Sequence, residues 1–294
     1  MWLVLKRNPV VVAFLLAPGL LLTAAFMLYP LANGILLSFT NSSPLRAAPR
    51  VVGLRNYERL LGDAGFWEVI FNSFLLVGAA VAISMVVGFG LALLLNQKLR
   101  GTYFFRVGIF QIWVIPWISV AILWGWIFNS DYGVVNFLLM DLGLLENKVN
   151  WLASEVLARL VIILGFAWRM IPFMMVISLA ALQSISKDIL DAAAIDGARP
   201  WHRLRDITLP LLKNMMFVVG LLQAVKLFQE ITLPWVLTQG GPINATTTLS
   251  LYTYKLAFQK WEFGMASAVG TLWLVVLFVF ALVYLKFFVA ARDD

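Results

Sequence analysis

The 294-residue sequence contains no cysteine and a single histidine, His202. Disulfides, thiolate metal sites and cysteine nucleophiles are thereby excluded, and neither a His-based metal cluster nor a Ser-His-Asp triad can be assembled. Charge is scarce too: 13% of the residues are Asp, Glu, Lys or Arg, against about 25% in an average soluble domain. No glycine-rich phosphate loop of the form G-x-x-x-x-G-K-S/T occurs, so the chain cannot cradle ATP in the usual way. Nor do paired carboxylates sit where a catalytic pocket would need them. What is present is apolar: 62% of residues are hydrophobic, with 12 Trp and 22 Phe, and the mean hydropathy is +0.90. That excess is too large for one buried core at this length, because a soluble fold needs polar surface to cover it. The composition is that of an integral membrane protein, and the long uncharged runs make it all-α. The net charge of +7 then reflects Lys and Arg in cytoplasmic loops rather than a nucleic-acid surface.

Uncharged runs mark the spans, since an ionised side chain at the bilayer centre costs about 2.5–3.5 kcal/mol on insertion scales. Six are expected, over about 8–40, 69–97, 107–130, 160–182, 214–236 and 263–285. The first, at 33 residues, exceeds the roughly 20 needed to cross and is expected to tilt or bend near Pro18 or Pro30. It is too long for a signal-peptide core, and Tyr29-Pro30 replaces a small-residue cleavage site. With Lys6-Arg7 held inside, an even span count places both termini in the cytoplasm and 41–68, 131–158 and 238–262 outside. The basic residues lean inward only modestly: Lys98, Arg100 and Arg106 and the 183–213 loop fit the rule, but Arg46, Arg50, Arg55 and Arg59 crowd the first outer loop. Small residues at Gly78/Ala82, Ser84/Gly88 and Gly88/Ala92 let helices approach closely in lipid. They serve either bundle packing or an interface with a second subunit.

The stretch from Ser186 to Pro210, SKDILDAAAIDGARPWHRLRDITLP, reads as a cytoplasmic helix-turn-helix. Ser186 can cap the first helix with Asp188 in its first turn. Ala192, Ala193, Ala194 and Ile195 form a small apolar surface, Gly197 can supply a left-handed stop, and Pro200 opens a second helix reaching about Thr208. His202 lies there among Arg199, Arg203 and Arg205 as a surface residue. From physics alone this is either a knob that docks into a groove on another protein or an ordinary amphipathic loop.

Asp191-Ala-Ala-x-x-Asp196-Gly197, followed after nine residues by Ile207-x-Leu209-Pro210, resembles the EAA loop of ABC-importer permeases. Asp191 stands where that family usually has Glu, and Ser186 where many sugar permeases have proline. Leu237-Thr-Gln-Gly-Gly-Pro242, with Thr248, Leu249, Tyr254 and Ala257-Phe258 after it, is similar to the LTxGGP segment of MalF-type carbohydrate permeases. Leu91 to Asn96, Arg100-Gly101, Phe105-Arg106, Phe166-Ala-Trp168-Arg169 and Pro172-Phe173 fit the same pattern. The resemblance covers nearly the whole chain, as one permease domain of 294 residues. It implies a subunit that is not itself an enzyme, needs no metal and binds no nucleic acid. Two ATP-binding cassette subunits would hold ATP and Mg, contacted by Asp191, Ala192, Ala193, Asp196, Gly197, Arg199 and Pro210. A second homologous permease and an extracytoplasmic solute-binding protein would complete the assembly in the inner (plasma) membrane, importing a carbohydrate or related polar solute by alternating access.

Three charged residues, Arg169, Lys226 and Glu230, interrupt the fourth and fifth spans. Arg169 is about ten residues, roughly 15 Å, from the outer end of its span, and Lys226 about thirteen residues, roughly 19 Å, from the inner end of the next. Both fall near the midplane of a core about 30 Å thick. Gln223, Lys226 and Glu230 share a helical face, Gln229 lies beside them, and Trp168 can stack on a sugar's apolar face. These six residues form either a solute path or a structural ion-pair cluster in which Lys226 and Glu230 satisfy each other. An ion-coupled transporter is the alternative class; it would need intramembrane carboxylates, and only Glu230 is available.

Overall fold

A computed structural model describes residues 9–45, 48–97 and 100–290. Lys6-Arg7, Arg46 and Lys98 lie outside the described residues. Among those described the chain is helical, with no strand and one isolated bridge between Thr40 and Val51. Four helices are long and apolar enough to cross a membrane: α1 (Val11–Ser38), α3 (Ala64–Leu95), α7 (Glu155–Ser184) and α9 (Pro200–Phe228). The chain forms two compact units, one of the residues up to Ala64 with those from Thr253 on, the other of Gly65–Tyr252.

In the first unit, α1 carries Pro18 inside it without a break. Its irregularity is a π turn, Ala24–Leu28, running directly into Tyr29-Pro30. Proline 30 has no N–H for the carbonyl four residues back, and a widened turn relieves that deficit. The end of α1 packs against α12 (Phe263–Ala290), 28 residues long. A short helix, α2 (Arg55–Leu61), is tied to the end of α1 by Asn56, whose Nδ2 donates to the carbonyls of Ser38 (2.7 Å) and Thr40 (2.8 Å). Arg59 and Glu262 form an ion pair of 3.5 Å.

The second unit is built on α3, α7 and α9. Its core joins Phe89, Ala92 and Leu95 of α3 to Met175, Leu179 and Leu182 of α7 and Leu212 of α9. The approach of α3 to α7 is set at Gly88, where a Cβ would stand 2.7 Å from the Met174 Cβ and 2.9 Å from the Ile171 carbonyl. Ser84, Gly88 and Ala92 are therefore buried inside the unit, whereas Gly78 meets nothing within 4 Å. Arg106 donates from a guanidinium nitrogen to the Leu95 carbonyl at 2.6 Å, closing the C-terminus of α3.

The expected third span is corrected. It is two helices, α4 (Thr102–Val114) and α5 (Trp117–Ile127), bent by 99° at Ile115-Pro116. A residue before proline is pushed out of the α region, and Ile115 is extended (ψ 129°). Beyond α5, α6 (Val134–Asp141) lies in the 131–158 segment. It is held by Asn136, which donates to the carbonyls of Ser130 and Val149 and accepts from the Trp151 indole at 2.9 Å. The fifth span also differs from expectation. Its helix starts at Pro200, ends at Phe228, and resumes after a break as α10 (Thr232–Thr238).

Candidate functional site

Both breaks face one cavity of about 380 Å³ within the second unit, lined by Trp113, Trp117, Arg169, Met170, Lys226, Gln229 and Glu230. Trp113 and Trp117 flank the Pro116 break, and Gln229 and Glu230 form the second one. Arg169 sits midway along the 30-residue α7. Backbone groups freed by a break in a spanning helix need hydrogen-bond partners. The side chains of the site supply them. Arg169 Nε donates to the Ile115 carbonyl at 3.0 Å, and its guanidinium carbon lies 4.5 Å from the Trp117 ring centre. At the other break, Glu230 Oε1 accepts from the Thr232 amide at 2.6 Å and so caps α10. Ser250 donates to the Phe228 carbonyl at the end of α9.

Lys226 occupies the last turn of α9, where a cation is favoured. Its ammonium nitrogen lies 5.5 Å from the Trp113 ring centre and 5.3 Å from that of Phe173; those two rings stack at 5.7 Å and 19°. Each such contact contributes about 0.5–2 kcal/mol, depending on how dry it is. The alternative reading, a structural Lys226–Glu230 ion pair, is not formed: neither residue belongs to an ion pair among the described residues.

Of the six residues expected to share this space, Arg169, Lys226, Gln229 and Glu230 line it. Gln223 and Trp168 do not. Gln223 is fully buried; its Oε1 accepts from the Ser84 hydroxyl at 2.5 Å and its Nε2 donates to the Met170 carbonyl at 3.3 Å. It shares a helical face with Lys226, but that face turns from cavity to core within one turn. Trp168 packs edge-on against Trp124, ring centres 6.2 Å apart. The aromatic walls are Trp113 and Trp117, which sequence reasoning missed. The signal that pointed to them is a proline between two tryptophans in an otherwise uncharged apolar run.

In the 183–213 loop, α8 (Lys187–Ile195) is capped by Ser186, whose hydroxyl accepts from the Asp188 amide at 3.2 Å. Gly197, at φ +75°, ends it. The Ala198 amide returns to the Ala193 carbonyl at 2.9 Å and the Gly197 amide to that of Ala194 at 3.1 Å, the paired bonds of a Schellman stop. One expectation is corrected here: Ala193 is 8% exposed and faces inward, while Ile195 is 86% and Trp201 63% exposed. The outward apolar knob is Ala192, Ala194, Ile195 and Trp201, with Asp191, Asp196 and Arg199 exposed around it. The second helix does not stop near Thr208; a π turn, Arg203–Thr208, carries it past Pro210 into the span.

The segment after α10 is a pinned loop leading into α11 (Leu249–Tyr254). Thr246, Thr247 and Thr248 are buried, and Thr247 donates to the Gly240 carbonyl at 3.0 Å. Three side chains from long helices hold it: Asn72 on the Asn244 carbonyl (3.0 Å), Ser73 accepting from the Leu249 amide (2.8 Å), and Arg159 on the Ala245 carbonyl (3.1 Å). None of the three was singled out from the sequence, because a polar residue near a span end has no distinctive pattern. Among the described residues no group of His, Asp and Glu is arranged to hold a metal.

Residues 84–289 match the family described as binding-protein-dependent transport system inner membrane component. The chain is 33% identical over 272 residues to the trehalose/maltose transport system permease protein MalF of Thermococcus litoralis, covering 92% of this chain and 91% of that protein. It is 34% identical over 284 residues to the lactose transport system permease protein LacF of Rhizobium radiobacter, covering 94% of each. Its fold is similar to a chain in the crystal structure of a bacterial ABC transporter involved in the import of the acidic polysaccharide alginate, with a TM-score of 0.80 and 24% identity over 99% of this chain and 98% of that one. The chain belongs to the family of inner-membrane permease components of binding-protein-dependent ABC transport systems.

Proposed function

We propose that this permease carries a carbohydrate or related polar solute inward, and that the cavity between the two helix breaks is its path. The observation that carries the reading is the lining itself: two tryptophan faces beside Arg169, Lys226, Gln229 and Glu230. A hydroxyl-rich solute needs donors and acceptors on its rim and an apolar surface under its ring. Discontinuous helices around a mid-membrane cavity are where transporters expose backbone and side chains to solute. The names of the relatives, trehalose/maltose and lactose permeases, support the same class.

On this reading the 294 residues act as one permease domain with six spans: α1, α3, the bent pair α4–α5, α7, α9 with α10, and α12. Both termini are cytoplasmic, and α8 is the coupling helix. Asp191, Ala192, Asp196, Gly197 and Arg199 meet one of two ATPase subunits, and Pro210, inside α9 just past its π turn, lies where that helix enters the span. A second permease and an extracytoplasmic solute-binding protein complete the complex. ATP closes the ATPase pair, the pair moves the coupling helices, and the bundle opens outward; hydrolysis returns it inward. An ion-coupled mechanism finds no support, since Glu230 is the only carboxylate among the described lining residues and holds the Thr232 amide.

The test is uptake into proteoliposomes holding the assembled complex. ATP inside should drive accumulation that survives ionophores. Gln229→Ala should weaken solute affinity about three- to tenfold, the loss expected for one hydrogen-bonding group at about 0.5–1.5 kcal/mol. Uptake abolished by ionophores while ATP is present, or unchanged in Gln229→Ala, contradicts the proposal.

A further inference from the structure

The cavity holds two cations against one carboxylate; Glu230, which also accepts the Thr232 amide, balances one of them and leaves the other without a counter-charge. Neither Arg169 nor Lys226 belongs to any ion pair among the described residues. The Arg169 guanidinium donates through Nε alone, to Ile115, which leaves both terminal amino groups without an acceptor. Lys226 meets only ring faces. Helix ends do not change the balance. The carbonyl end of α9 lies beside Lys226, but the amide end of the 11-residue α5 begins at Trp117, itself a lining residue, and favours an anion in the same space. Partial charges of opposite sign at the two helix ends roughly cancel, so the integer charges decide.

Arg169 is half-buried and Lys226 exposed at the cavity mouth; ring faces compensate a cation only in part, and one charge there is left for a solute to meet. Hydroxyls of a neutral sugar can accept hydrogen bonds from Arg169 and Lys226 but bring no negative charge. A planar guanidinium with free terminal nitrogens matches the two oxygens of a carboxylate, or of a sulfonate or phosphate, and a nearby ammonium adds a point charge. We infer that the solute is an anionic sugar, its acidic group held by Arg169 and Lys226 and its apolar ring face laid against Trp113 or Trp117. This rests on the cavity being the solute path.

The test uses the intact transporter in nanodiscs and matched probes: glucose against glucuronate and glucose 6-phosphate, and galactose against galacturonate, titrated by calorimetry. The acidic member of each set binds about tenfold or more tightly at low salt, with the preference shrinking as salt rises. Carboxylate and phosphate arms identify which acid fits. Lys226→Gln is the primary variant, since Arg169 also holds the broken backbone; it brings acidic and neutral probes toward parity, and Arg169→Gln does the same where it assembles. Neutral probes binding as well as acidic ones, or a preference unmoved by Lys226→Gln, overturns the anionic class while leaving a sugar site in place. No binding by any probe, or binding unmoved by Gln229→Ala, overturns the cavity as the solute site.

Discussion

Gln223 and Gln229 are six residues apart and do different things. Gln223 joins α9 to α3 and α7 through Ser84 and the Met170 carbonyl, whereas Gln229 borders the cavity. Replacing Gln223 by Leu removes a second hydrogen bond from the Met170 carbonyl, which stays within the helical ladder of α7, while Ser84 keeps its second partner, the Val81 carbonyl. The cost is therefore that of a net intramolecular hydrogen bond, about 1 kcal/mol. Thermal inactivation should shift downward with solute affinity unchanged; a loss of affinity at full stability would place Gln223 at the site. Gly197 is a second case. At φ +75° a β-branched side chain costs about 1–2 kcal/mol or more, so Gly197→Val should unwind the end of α8 and reduce retention of ATPase subunits on the purified permease. Full retention would mean the stop is not needed. Because Ala193 faces inward, Ala193→Arg disrupts the loop's own packing, and Ile195→Arg is the substitution that reads docking. Ser186 and Gly197 were legible in the sequence because caps and left-handed stops have strong residue preferences. The inward turn of Ala193 was not, since one alanine in three carries no label.

Among the elements, the long helices were legible because an uncharged run of about 20 or more residues has few alternatives in a membrane protein. The breaks were not. Pro18, Pro116 and Pro172 look alike in an apolar sequence, yet Pro18 and Pro172 lie inside continuous helices and only Pro116 divides one sharply. What distinguishes Pro116 is Arg169, whose Nε takes the carbonyl that the break exposes, and that partner is 54 residues away in sequence. The small-residue pairs divide in the same way: those at 84, 88 and 92 serve packing within the unit, which no spacing rule distinguishes from an outward face. Gly88→Val places methyl groups where even a Cβ is 2.9 Å from a backbone carbonyl. Overpacking of this kind costs about 1–3 kcal/mol, so the variant should denature at lower temperature in detergent. An unchanged midpoint would mean that α3 and α7 separate freely.

For the whole molecule, family membership and function follow from features spread along the chain. The proposed orientation rests on the loop that bears α8, because an ATPase subunit would reach it only from the cytoplasm. Ile195 is the most direct reporter, being 86% exposed on a chain without cysteine. Ile195→Cys can be labelled with an impermeant maleimide in intact cells, in inside-out vesicles stripped of ATPase subunits, and in the same vesicles after those subunits are restored. Labelling only in stripped inside-out vesicles, with protection when the ATPase returns, is the predicted result. Labelling in intact cells, or equal labelling with and without the ATPase, would contradict α8 as the cytoplasmic coupling element of an importer.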